Sequence, residues 1–170
     1  MENLRNRSGF WVEALVKFTE TNDKGVQKEV GERYTVEAAS FMDGEKRIRE
    51  EFNYANKPLK TVAAMLKPKY GTICFNNDAT AENWYKVKVT ISEDVEVRTR
   101  KGGTRTKTKV VSHFHLVQAA SQEGAVQAIK EAVYNGSNAD YEIADVVKTR
   151  ILDVLENGKH LQGLTDGTEK

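Results

Sequence analysis

An α+β fold of two tandem ββαβ repeats, mainly antiparallel sheet with one helix per repeat, is what this sequence predicts. Three observations point to it. The apolar pattern runs strand, strand, helix, strand, and the same order returns from Trp84. Residues then match between the two runs: Trp11 with Trp84, Val36-Glu-Ala-Ala-Ser40 with Val117-Gln-Ala-Ala-Ser121, and Ile48-Arg49-Glu50 with Ile129-Lys130-Glu131. The same offset carries Val62-Ala63 onto Ile143-Ala144, Lys67 onto Lys148 and Lys69 onto Arg150. Two long copies do not make a solenoid, so the repeats are expected to pair face to face or to join their sheets with pseudo-twofold symmetry. A repeat of about 75 residues buries a marginal core alone, so the pair is expected to form one compact domain.

The boundaries follow from the composition. Residues 1–9 read as a polar tail, 10–78 as repeat one, 79–157 as repeat two with a long basic hairpin, and 158–170 as a mobile tail. Within repeat one, Phe10–Phe18 is a strand that gives way to the turn composition Thr-Asn-Asp-Lys-Gly. A second strand, Val30–Ala39, leads to Ser40, an N-cap with Asp43 three residues on. The helix that follows spaces Phe41, Ile48 and Phe52 along one side and ends before Pro58. Leu59–Phe75 is strand-like but carries Pro68, which predicts a bulge or break. Repeat two opens with strict alternation over Trp84–Ile91, passes through the hairpin, and resumes as a strand over Val110–Ala120. Ser121 caps a helix bearing Ala125, Val126, Ile129, Ala132 and Val133. Asn135-Gly136-Ser137-Asn138 ends it, and Tyr141–Leu155 reads as one long final strand.

Composition bounds the function. Of 170 residues, 39% are apolar and 30% charged, as in a folded soluble protein. The net charge of +1 excludes a bulk-basic protein, so any binding of nucleic acid must rest on local segregation of charge. The single cysteine, Cys74, excludes an internal disulfide and fits a reducing compartment. No apolar run approaches the roughly 20 residues that span a bilayer, and the N-terminus lacks the apolar segment of a signal peptide. The expected location is the cytoplasm.

Charge segregates in one place. Between Arg98 and Lys109 the chain carries Arg98, Arg100, Lys101, Arg105, Lys107 and Lys109 and no acid. With Gly102-Gly103 as a two-residue turn, Arg100 faces Arg105, Arg98 faces Lys107, Glu96 faces Lys109 and Val95 faces Val110. Four cations then crowd one face in two opposed like-charge pairs, which destabilise a ribbon. A polyanion is the simplest compensation, and two-stranded basic ribbons fit nucleic-acid grooves. The alternative is a hairpin kept charged to prevent edge pairing. On the neighbouring strand, Tyr85, Val87, Val89 and Ile91 form the buried row, which leaves Trp84, Lys86 and Lys88 on the opposite face. An aromatic among lysines suits single-stranded nucleic acid, where bases stack on the ring. Against this stands the packing of Trp11 and Trp84 between the two copies.

Other chemistry is sparse. His113 and His115 share one face of a strand, but a metal site needs further ligands, so they read as ordinary strand histidines. Asp140, Glu142, Asp145 and Asp153 read as solvated or turn carboxylates. No Ser-His-Asp order, Gly-x-Ser-x-Gly elbow or Walker loop is present. The sequence therefore predicts no catalytic residue, no metal and no cofactor.

The patterns Trp-Tyr-x-Val-Lys-Val at 84–89, Leu-Val-x-Ala-x-Ser at 116–121 and Ala-Asp-Tyr-x-Ile-x-x-Val-x-x-Thr-x-Ile-x-Asp-Val at 139–154 resemble a domain-of-unknown-function family of Bacteroidetes bacteria and their phages. The resemblance covers nearly the whole chain. It implies the duplicated architecture and a bacterial or phage origin, and it supplies no site.

The sequence thus predicts a non-enzymatic nucleic-acid-binding protein, with single strands preferred. The six hairpin cations would hold phosphates, and Trp84, Lys86 and Lys88 would form a stacking face. The alternative is a phage-type protein that sequesters a nucleotide signal through Lys67, Lys69, Lys148 and Arg150, cations that recur in both copies. A third class is a structural or assembly protein, with a homo-oligomer compatible with the sequence.

Overall fold

A computed structural model describes residues 3–57 and 59–162. In chain order its elements are β1 (Leu4–Ser8), β2 (Trp11–Thr21), β3 (Gln27–Glu37), α1 (Phe41–Tyr54), β4 (Thr61–Leu66), β5 (Thr72–Asn76), β6 (Asn83–Arg98), β7 (Thr104–Ala119), α2 (Gln122–Ala132), β8 (Asp140–Lys148) and β9 (Ile151–Leu155). The described residues hold two sheets and two helices, and strands predominate, an α+β architecture. No helix among them is long and apolar enough to cross a membrane.

The chain divides into two compact units. The first comprises Ser8–Gly71 and the chain from Arg150 onward. Its sheet runs β4-β2-β3-β9, with β2 antiparallel to β3 and β4 and with β9 parallel to β3. Alternation along β2 buries Val12, Ala14, Val16 and Phe18, which join Tyr34 and Val36 of β3 and meet Ile48 and Phe52 of α1. Each large apolar side chain withdrawn from water there contributes about 1.5–3 kcal/mol. Gly44 sets the helix's approach, because a Cβ at that position would lie 2.6 Å from Val12 Cγ2. At the start of α1, Ser40 Oγ accepts from Asp43 N at 3.1 Å, and Asp43 Oδ2 accepts in return from Ala39 N at 2.8 Å. Asp43 thus sits where a capping box carries Glu or Gln, but its carboxylate takes the N–H of the residue before the cap instead of the cap's own.

The second unit comprises the chain up to Arg7 with Thr72–Thr149. Its sheet runs β1-β5-β7-β6-β8, with β6 antiparallel to β7 and β8 and with β5 parallel to β7. Tyr85, Val87, Val89, Val117 and Ala119 make the face that packs on Ala125, Ala128 and Ile129 of α2. Ser121 caps this helix, its Oγ accepting from Gly124 N at 3.1 Å.

The units do not follow the sequence halves. The run Leu59–Phe75 is two strands, β4 and β5, in different sheets. Proline at 68 offers no N–H to a ladder, so pairing stops there. The expected long strand Tyr141–Leu155 is likewise two strands, β8 and β9, in different sheets. Between them the Thr149 backbone N–H and Oγ1 both donate to Trp84 O, each at 2.9 Å, and close the β6–β8 pairing at that end. The N-terminal segment expected as a tail contains β1, whose Arg5 guanidinium lies 4.2 Å from the centre of the Phe75 ring. The C-terminal segment expected to be mobile is held as far as it is described. Leu161 is fully buried, its N–H donates to Glu51 Oε1 at 2.7 Å, and the His160 ring stacks on Tyr54 at 4.0 Å. Residues 163–170 of that segment lie outside the described residues, as do 1, 2 and 58.

Candidate nucleic-acid interface

Strands β6 and β7 are each 16 residues long, and their partners are shorter. Strand β8 pairs with β6 only over Tyr85–Ser92, and β5 pairs with β7 only over His115–Val117. Beyond Ser92 and Val110 the two strands continue together to Arg98 and Thr104 as a two-stranded arm. Six residues at about 3.4 Å each carry it roughly 20 Å past the sheet. The turn takes five residues, Thr99–Gly103, rather than the expected two. Thr99 N–H and Oγ1 donate to Gly103 O at 2.8 and 3.1 Å, Gly102 N–H donates to Thr99 O at 3.1 Å, and Gly102 alone adopts a left-handed φ of +83°.

The root of the arm sets this register. Helix α2 requires Tyr85, Val87 and Val89 of β6 to share a face with Val117 and Ala119 of β7. An unbroken ladder carries that choice of face to the tip. The expected pairing would have placed Phe114 and Leu116 on the helix face instead.

The consequence for charge is direct. Arg105 faces Val97, Lys107 faces Val95 and Lys109 faces Glu93. Arg98 faces Thr104 on the opposite side, and Arg100 and Lys101 sit in the turn. The expected pairs Arg100/Arg105 and Arg98/Lys107 are therefore not formed. In their place Arg105, Lys107 and Lys109 stand in single file along β7, with half-buried Val97 and Val95 beside them. The long stems of the facing Arg and Lys account for the valines' partial burial. The other side of β7 carries Thr104, Thr106 and Thr108, the last donating to Asp94 Oδ1 at 3.0 Å. Among the described residues, none of the six arm cations has a carboxylate within 4.0 Å. All six are exposed.

Trp84 is not a stacking platform. It is 2% exposed, with the Phe75 ring edge-on at 5.7 Å, so no incoming base reaches its face. Leu116, on the same side of the sheet, is fully buried as well. Alternation suggested one buried face, and the root of this sheet buries both. Trp11 is equally enclosed, and Lys86 and Lys88 are half-buried beside Trp84. Nor are the cations of the alternative site gathered in one unit. Lys67, whose Nζ lies 3.7 Å from the centre of the Phe10 ring, belongs with Lys69 and Arg150 to the first unit, and Lys148 to the second. Clefts of about 450 Å³ beside Phe18 and Lys57 and about 400 Å³ beside Tyr54 and His160 are lined by other residues.

His115 lies on the helix face, 7% exposed, with Nε2 3.2 Å from Tyr134 Oη. Burial, reinforced by the neighbouring His113, pushes its pKa down to about 4, so the ring is neutral at pH 7. Tyr134 in turn stacks on Tyr141 at 4.4 Å with the rings 19° apart. Among the described residues no three of His, Cys, Asp and Glu are grouped to hold a metal ion. Tyr141, which no sequence pattern marks as a site residue, lies on β8 opposite Ile91, at the root of the arm.

The chain belongs to the family described as Domain of unknown function (DUF4494), whose model matches residues 10–157, both hairpins and both helices included. No curated protein and no solved structure matches it significantly.

Proposed function

We propose that this member of the family is a non-enzymatic nucleic-acid-binding protein that grips phosphates with the β6–β7 arm. The observation that carries the reading is the file Arg105, Lys107 and Lys109, exposed and without a carboxylate within 4.0 Å among the described residues. Same-face neighbours on a strand are about 6.8 Å apart, close to the spacing of successive phosphates along one nucleic-acid strand. Arg98, Arg100 and Lys101 extend the charge around the tip. Lysine and arginine contacts to phosphate position a protein without reading sequence, which suits a chain of net charge +1 in which six of the 26 Lys and Arg fall within residues 98–109 with no acid among them.

A ribbon charged only to discourage edge pairing has no need to sort its cations. Here one side of β7 carries the file and the other a row of threonines. Duplication of a ββαβ unit accounts for the strand order β4-β2-β3-β9 and its counterpart β8-β6-β7-β5, to which β1 is added at the β5 edge, each with an antiparallel strand on one flank of the hairpin and a parallel strand on the other.

The test is fluorescence anisotropy with labelled oligonucleotides. The wild type binds with affinity that falls steeply as salt rises, and a variant with all six arm cations changed to serine loses that binding. An unchanged affinity overturns the reading. A thermal shift induced by mononucleotides or cyclic dinucleotides, and lost on changing Lys67, Lys69, Lys148 and Arg150, would establish the nucleotide-sequestering alternative.

A further inference from the structure

We infer that the arm takes a single strand along its helix-side face and that Tyr141 is the residue on which a base stacks. This rests on the phosphate-gripping reading above and adds the strand state and the base contact. The register supplies the geometry. Tyr141 faces Ile91, Ile91 faces Val111, and both lie on the same side of the sheet as the file Arg105, Lys107 and Lys109.

That side therefore carries two parallel lines leading from tip to root. Phosphate-binding groups follow β7. Apolar side chains, Val97, Val95 and then Ile91, follow β6, about 5 Å to one side, and reach Tyr141 on the next strand. Glu93, opposite Lys109, is the one acid on the lines.

Tyr141 has the properties of a platform that Trp84 lacks. Its ring is covered on one face by the buried Tyr134, parallel to within 19° and 4.4 Å away. Tyr141 itself is part-exposed. With one face covered, its accessible surface lies on the other face and edge. A ring already held in a stack loses little freedom when a base adds to it. Duplex bases are stacked on one another and cannot use it, whereas an unpaired base can.

The experiment measures the affinity of matched single-stranded and duplex oligonucleotides for the wild type, Tyr141→Leu, Tyr141→Phe and the six-cation serine variant. Leucine keeps an apolar contact for Tyr134 and removes the ring, and thermal melting of each variant verifies that it is folded. Tyr141→Leu is expected to weaken single-strand binding by roughly 5- to 150-fold, the range for one stacked base, with duplex binding and salt dependence unchanged. Tyr141→Phe is expected to bind as the wild type does. Equal affinities of Tyr141→Leu and the wild type for single strands, or equal losses on single strands and duplex, overturn the role of Tyr141 while the cation variant still loses binding. If the cation variant binds unchanged, the phosphate-gripping reading itself has failed.

Discussion

Changing Arg105, Lys107 and Lys109 together to serine removes the file and leaves the tip cations Arg98, Arg100 and Lys101 in place. The expected loss can be worked from the number of phosphates the file can hold. Each phosphate neutralised on a single strand adds about 0.7 to the slope of log affinity against log salt. Three side chains in file, one per phosphate, account for a slope of about 2. Binding at about 0.1 M salt, a tenfold dilution from 1 M, then weakens by about 100-fold in the variant. Serine tolerates the extended backbone, and the ladder from Ser92–Val110 to Arg98–Thr104 is made by the main chain, so the arm persists. The assay is anisotropy titration at several salt concentrations between about 50 and 200 mM. A variant whose slope equals that of the wild type would refute phosphate contact by the file, even if its affinity had dropped, because a lost contact must release fewer counterions.

Two further predictions concern stability. Leu161 is fully buried in the first unit's core, so Leu161→Ala is expected to cost about 2–5 kcal/mol in urea unfolding; a change near zero would restore the reading of that segment as a tail. For His115, the folded pKa of about 4 lies below the ordinary imidazole value of 6.5, so the unfolded chain takes up the proton first. This contribution is fully present above pH 6.5 and declines as pH falls toward 4, by about 3 kcal/mol in total at 1.36 kcal/mol per unit. Urea midpoints across that window, compared with those of His115→Phe, are expected to fall more steeply for the wild type.

Local signals carried much of the fold. Ser40 and Ser121 announced both helices, Pro68 announced a break, and the paired glycines placed the hairpin tip within the observed turn. The signals that failed were those decided at a distance. Gly102-Gly103 suggested its own two-residue turn, but packing on α2 at Tyr85 and Val117 selects the register and leaves the turn five residues. Nothing in Tyr141–Leu155 is a strand breaker, so the passage at Thr149 from one sheet to the other becomes visible only with its bonds to Trp84 O. Period-two alternation identified the helix-packed face of β6 but could not show that Trp84's face is buried too. Tyr141 was missed because its partner, Tyr134, precedes a loop with no periodicity to relate the two rings.

The binding surface itself is open to direct mapping. Ultraviolet crosslinking of the wild-type protein to a single-stranded oligonucleotide, followed by peptide mass spectrometry, locates the residues in contact. Adducts are expected within the arm, residues 98–109, and on the peptide that contains Tyr141. Adducts confined to peptides bearing Lys67, Lys69, Lys148 or Arg150, with the arm unmodified, would contradict a phosphate-gripping β-ribbon.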